Sequence, residues 1–121
     1  MTKLVITGAA GRMGRNIITV VRETGNAEIT AAVERPGHSD IGKDAGEIAG
    51  SGKIGIKLTD NFEKAIRHAD CIIDFTFPDA TMHHLNIALK NDIAMVIGTT
   101  GFSTHQREGL KDAGNKLRIV A

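Results

Sequence analysis

LVITGAAGRMGRNI, residues 4–17, opens as an unbroken apolar run, stops at Gly8, and resumes through Gly11 and Gly14 into a segment with helical spacing. Three glycines where a strand turns into a helix mean that something comes very close to the backbone there. One glycine permits the tight turn, one lets a pyrophosphate approach the amides, and one lets the helix pack on the strand. The spacing is Gly-x-x-Gly-x-x-Gly, not Gly-x-Gly-x-x-Gly, so the motif alone also fits plain tight strand–helix packing. No Gly-Lys-Ser/Thr follows, which excludes a Walker loop.

Outward from this stretch, strand-like and helix-like segments alternate. Strands are expected at KLVITG (3–8), AEITAAVE (27–34), GIKLT (55–59), DCIIDFT (70–76), IAMVIGTTG (93–101) and KLRIVA (116–121). Helices are expected between them. RMGRNIITVVRET carries Met13, Ile17, Val20 and Val21 at helical spacing. DNFEKAIRHA has Asp60 as N-cap and Phe62, Ala65, Ile66 and Ala69 on one face. PDATMHHLNIALKND opens on Pro78, and STHQREGLKDAG has Ser103 and Gln106 at capping-box spacing. Residues 35–55, with six glycines among RPGHSDIGKDAGEIAGSGKIG, read as a long, mobile connection. Continuous apolar strands alternating with helices define an α/β fold: a Rossmann-like, doubly wound parallel sheet within one domain, 1–121.

Composition narrows the function classes. Fifteen Lys and Arg against 14 Asp and Glu leave a net charge of +1, with no basic run to favour nucleic acid. Four Phe with no Trp or Tyr make a base-stacking platform a poor reading. No apolar run reaches the ~20 residues of a membrane helix. No signal peptide is visible, and the single cysteine, Cys71, fits a reducing, cytoplasmic setting as a small buried hydrophobe.

Ligands of doubly wound sheets sit beyond the carboxyl ends of the strands, where the glycine loop falls. Glu34 lies 20 residues beyond Gly14 at the end of the second strand, positioned for ribose hydroxyls; its plainer reading is an exposed strand-end charge. The adjacent Arg35 could meet a 2′-phosphate, so the pair suits NAD or NADP. IGTTG (97–101) ends another strand and could hold the nicotinamide end, or be only a turn. His83 and His84 are neighbours on a helix, so their side chains diverge by about 100° and cannot share a metal. They read as one core-edge and one solvent-facing residue. No metal set and no acid, base or nucleophile stands out.

VITGAAGRMGRNI, ERPGHSDIGKDAGEIAG, IDFTFPDATMHHL and VIGTTGF, in this order, together resemble the N-terminal part of the dihydrodipicolinate reductase family over essentially the whole chain. The resemblance implies an NADH- or NADPH-dependent reductase of the diaminopimelate route to lysine, acting on cyclic hydroxy-tetrahydrodipicolinate. It implies that Gly8, Ala9, Ala10, Gly11, Arg12 and Met13 line the pyrophosphate, Glu34 takes the adenosine ribose, and Arg35 sits near a 2′-phosphate. It further implies that Gly98, Thr99 and Thr100 hold the nicotinamide side, with Thr100 also close to the substrate. Phe75, Thr76 and Phe77 form the family's loop after the fourth strand, and Phe77 stands where members often carry a polar or basic side chain. The family's histidine-and-lysine signature, which supplies the proton and holds the substrate carboxylates, lies in a following domain, as do most of its tetramer contacts. The expectation is therefore a chain truncated before the substrate domain, binding cofactor without catalysing, with no catalytic residue of its own. Two other readings remain: an NAD(H)-sensing module without catalysis, and a methyltransferase using S-adenosylmethionine, which also places an acid after its second strand.

Overall fold

The computed structural model describes residues 1–120. Six parallel strands form one sheet in the order β3-β2-β1-β4-β5-β6: β1 (Thr2–Thr7), β2 (Ala27–Val33), β3 (Leu58–Thr59), β4 (Cys71–Asp74), β5 (Ala94–Ile97) and β6 (Ile119–Val120). The chain steps outward from β1 to β3, returns to the other side of β1 for β4, and continues outward to β6. The switch point therefore lies between the carboxyl ends of β1 and β4, where Thr7 pairs with Asp74. The expected doubly wound α/β sheet is what the chain forms.

Alternation along β1 sorts the core into two layers. Leu4 and Ile6 face one cluster with Ile18, Ile29 and Leu58, while Val5 faces the other with Ile72, Leu85 and Met95. A register shift between Leu4 and Val5 pairs Leu4 with Ile29 but Val5 with Ala31. That extra residue in β2 lets Ile29 and Ala31 serve opposite layers, which strict period-two reading of AEITAAV does not give.

Helix α1 (Arg12–Thr24) begins beyond Gly11 and ends at Gly25, whose φ of 67° is the left-handed stop. Its buried face is Gly14 and Ile18, one turn apart, with Ile17 and Val21 partly covered. Met13 and Val20 are exposed, which corrects the expected apolar face: the helix turns its smallest residue to the sheet so that it can approach closely. Complete burial of Ile18 is worth about 2 kcal/mol.

The connection at 35–55 is more ordered than its glycines suggest. It contains α2 (Ala45–Ile48), and the Asp44 carboxylate accepts hydrogen bonds from the N–H groups of Gly46, Glu47, Ile54 and Gly55. Burial by itself raises the Asp44 pKa, but the four amides outweigh it and hold the group below its ordinary 3.8. A depressed carboxylate stabilises the folded loop above its unfolded pKa, and that contribution disappears as pH falls through the folded value. Hydrogen-exchange protection factors at Ile54 and Gly55 are accordingly expected to fall below about pH 4, and in an Asp44→Ala variant to be low at every pH.

Helix α3 (Phe62–Ala65) is shorter than the expected 60–69, and its N-cap is Asn61, not Asp60. The Asn61 side chain accepts from the Lys64 N–H, and the Asn61 N–H donates to Thr59 Oγ1. After Ala65 the chain tightens through turns that still bury Ile66 against Phe62. The third strand is two residues, not five. Helix α4 (Pro78–Asn91) starts on Pro78 as expected, and α5 (Thr104–Ala113) carries the full Ser103–Gln106 capping box. Of the expected final strand, Ile119 and Val120 pair with β5, and Ala121 lies outside the described residues. Cys71 is half-buried, and burial pushes its thiol pKa up, as suits a packing role.

Candidate functional site

The loop from Gly8 to Gly11 crosses the switch point. Gly8 has φ 70°, and a Cβ built on it would overlap the Phe75 carbonyl oxygen; one built on Gly14 would overlap the Gly8 carbonyl oxygen. These two glycines serve close packing. Gly11 meets only Gly8 O, at 3.2 Å, and is exposed at the start of α1 with no side-chain cap. The N–H groups of Arg12, Met13 and Gly14 precede the first intrahelical bond, Arg15 N–H to Gly11 O, and have no partner among the described residues. Three free amides at the positive end of a 13-residue helix are a ready cradle for a phosphate.

Ala9 is buried and donates to Val33 O, while Ala10 donates its N–H to Glu34 Oε2 at 3.1 Å. The other Glu34 oxygen accepts the Arg35 N–H at 3.1 Å. The carboxylate is thus fastened to the glycine loop with lone pairs left for a vicinal diol. Gly8, Gly11, Glu34, Arg35 and Phe75 line a single cleft of about 500 Å³, walled opposite by α3 and the start of α4. A diphosphate at the helix start and a ribose at Glu34 both fit the groups present. Arg12 and Met13 are exposed on the first turn of α1.

A second group of residues lies under the β4 and β5 loops. Asp74, fully buried, accepts from Thr76 Oγ1 at 2.6 Å and pairs with His84 Nδ1 at 2.9 Å. Thr81 Oγ1 donates to Thr99 Oγ1 at 2.8 Å, and the Thr76 N–H donates to the same oxygen at 3.0 Å. The Thr76 and Thr81 hydroxyl oxygens lie 3.1 Å apart within it. Gly98 lies against the Phe75 ring, which a Cβ would overlap, and its N–H bonds Asp74 O. The network therefore ties the cleft wall to the loop holding Gly98, Thr99 and Thr100. Thr99 is buried within it and Thr100 is exposed.

His83 and His84 are solvent-facing and core-edge, as their spacing suggests, yet both line the cleft. His84 stacks on Phe62 with ring centroids 4.2 Å apart. The sequence singles out neither Asp74 nor Thr81, and it gives His84 a place at the core edge without joining it to either. The signal was present in CIIDFT: an acid closing a buried apolar strand needs a polar partner. Among the described residues no group of three His, Cys, Asp or Glu could hold a metal, and no helix is long and apolar enough to cross a membrane.

Sheet order, switch-point glycine loop and strand-end acid define a Rossmann-like dinucleotide-binding domain. Comparison with known proteins makes this particular: the chain belongs to the family described as dihydrodipicolinate reductase, N-terminus, whose model matches residues 2–121. A Burkholderia mallei (strain SAVP1) protein named 4-hydroxy-tetrahydrodipicolinate reductase is 45% identical over 118 residues, 98% of this chain and 44% of its own length. A namesake from Burkholderia thailandensis is 44% identical over the same span. The chain thus spans less than half the length of these relatives. Among solved structures, dipicolinate-bound dihydrodipicolinate reductase from Paenisporosarcina sp. TG-14 superposes with TM-score 0.71 at 24% identity, over 93% of this chain and 43% of that one. RSP, solved in complex with β-NADH, has the same fold at TM-score 0.69 and 12% identity, over 99% of this chain and 52% of that one.

Proposed function

We propose that this chain holds NADH or NADPH for a 4-hydroxy-tetrahydrodipicolinate reductase, a cytoplasmic, tetrameric enzyme of the diaminopimelate route to lysine. Its substrate is a cyclic dicarboxylate, hydroxy-tetrahydrodipicolinate, reduced to tetrahydrodipicolinate with loss of water. The observation that carries the reading is the juxtaposition of three free amides at the start of α1 with a Glu34 carboxylate fastened to the same loop.

In this reading the backbone from Gly8 to Met13, with Ala9 and Ala10 as the packed back of the loop, receives the diphosphate, and the Arg12 side chain adds a cation. Glu34 accepts from the adenosine ribose, and Arg35 stands beside its 2′ position. Gly98, Thr99 and Thr100 border the nicotinamide side. The Thr99 oxygen accepts two hydrogen bonds and the residue is buried, which leaves its side chain only one O–H to donate, whereas the exposed Thr100 hydroxyl is free both to donate and to accept. Phe75, seated on Gly98, separates the two halves of the site. The bound dinucleotide supplies the hydride; the chain's own residues supply its orientation.

Calorimetric titration with NADH, NADPH and S-adenosylmethionine tests this. Binding of a reduced dinucleotide, weakened about 10- to 100-fold in an Arg12→Ala/Glu34→Ala variant, is the expected result. Binding of S-adenosylmethionine alone would overturn it.

A further inference from the structure

We infer that Asp60 discriminates between the two dinucleotides by disfavouring the one that carries a 2′-phosphate. The inference rests on the dinucleotide reading above and concerns its adenosine half. Strands β2 and β3 run parallel with Val33 opposite Thr59, and the Glu34 N–H donates to Thr59 O at 2.9 Å. Glu34 and Asp60 therefore leave the carboxyl ends of adjacent strands side by side, and both line the cleft together with Arg35.

Three observations free Asp60 for this role. Asn61 takes the N-cap of α3, so the helix start does not consume the Asp60 carboxylate. Asp60 is exposed and makes no ion pair among the described residues. Glu34 is bonded through both oxygens and cannot swing aside to relieve crowding of charge. The cleft edge thus carries two carboxylates against one guanidinium, Arg35. The neighbouring His84 is engaged with Asp74 through Nδ1, and His83 is exposed.

A phosphate monoester brings nearly two further negative charges at neutral pH. A ribose without it brings none and can donate both hydroxyls to Glu34. At an exposed site, a carboxylate within about 10 Å of that phosphate shifts its affinity by a factor of about 3 at low salt, and by much less once the Debye length falls below that distance.

The test is calorimetry of this chain with NADH and with NADPH, for the wild type, Asp60→Asn and Asp60→Lys, at about 0.02 M and about 0.5 M salt. The NADPH-to-NADH affinity ratio is expected to rise about threefold in Asp60→Asn and about tenfold in Asp60→Lys, with both effects collapsing at high salt. A purely structural role for Asp60 would weaken both dinucleotides together and leave the ratio and its salt dependence unchanged; that result overturns the inference and spares the dinucleotide reading. Failure of both dinucleotides to bind the wild type overturns the inference and the dinucleotide reading together.

Discussion

Gly14→Ala is expected to destabilise the chain by about 2–4 kcal/mol, although alanine is the better helix former by about 1 kcal/mol. Gly14 sits in regular helix, so its backbone conformation is no obstacle. The obstacle is contact: a Cβ there overlaps the Gly8 carbonyl oxygen and crowds Ala9 Cα, both backbone atoms of the loop that α1 packs against. To make room, α1 must lift from β1, uncovering Ile18 and displacing the amides that begin the helix. Gly8→Ala is expected to cost still more, because it adds a left-handed φ of 70° to an overlap with Phe75 O. That oxygen cannot retreat freely, since the Phe75 N–H is bonded to Thr7 O across the β1–β4 pair. Gly25→Ala provides the control. Its φ of 67° is almost the same, but no atom lies within 4 Å of the added Cβ, so a loss of only about 1 kcal/mol is expected. Urea unfolding of the three variants separates overlap from backbone strain. Equal losses at Gly8 and Gly25 would show that the loop and the β4 end are not packed as described.

The second large effect is expected at Asp74. Asp74→Ala removes the acceptor for the Thr76 hydroxyl and the partner of His84 in a place with no solvent access, and a loss of about 3–5 kcal/mol follows. Asp74→Asn keeps the shape and one acceptor oxygen, so its loss is expected to be less than half as large. Because Thr76 also reaches Thr99, the alanine variant should raise hydrogen exchange at Gly98 and Thr99 more than at strand residues such as Val5. A loss below about 1 kcal/mol, or uniform acceleration of exchange, would mean that the threonine network does not hold the β5 loop.

Much of this architecture is legible in short segments. The strands of KLVITG and CIIDF, the Pro78 start of α4 and the Ser103–Gln106 box are local signals, decided by neighbours a few residues apart, and the fold honours them. What escaped depends on distant partners. Asp60 and Asn61 are equally good caps in isolation; the Thr59 hydroxyl, which receives the Asn61 N–H, places the helix start one residue later. The extra residue in β2 arises from pairing with β1 and leaves no mark in AEITAAV. Asp44 looks like any loop acid until the chain returns at Ile54 and Gly55 to meet it. The place of Glu34 beside the glycine loop is legible from its distance to the glycines. Asp74, His84 and Thr99 were not joined, because they lie on different elements that only the folded sheet brings together.

The three free amides at the start of α1 are proposed to receive the phosphates of a dinucleotide whose ribose rests on Glu34. A chain of 12.9 kDa suits amide-resolved NMR, and titration of labelled protein with NADH tests the claim directly. Large shifts are expected at Arg12, Met13 and Gly14, with smaller ones at Gly11, whose N–H is bonded to Gly8 O, and at Ala10 and Arg35, whose N–H groups sense Glu34. Shifts confined to other surfaces, with these amides unmoved at saturating NADH, would contradict it.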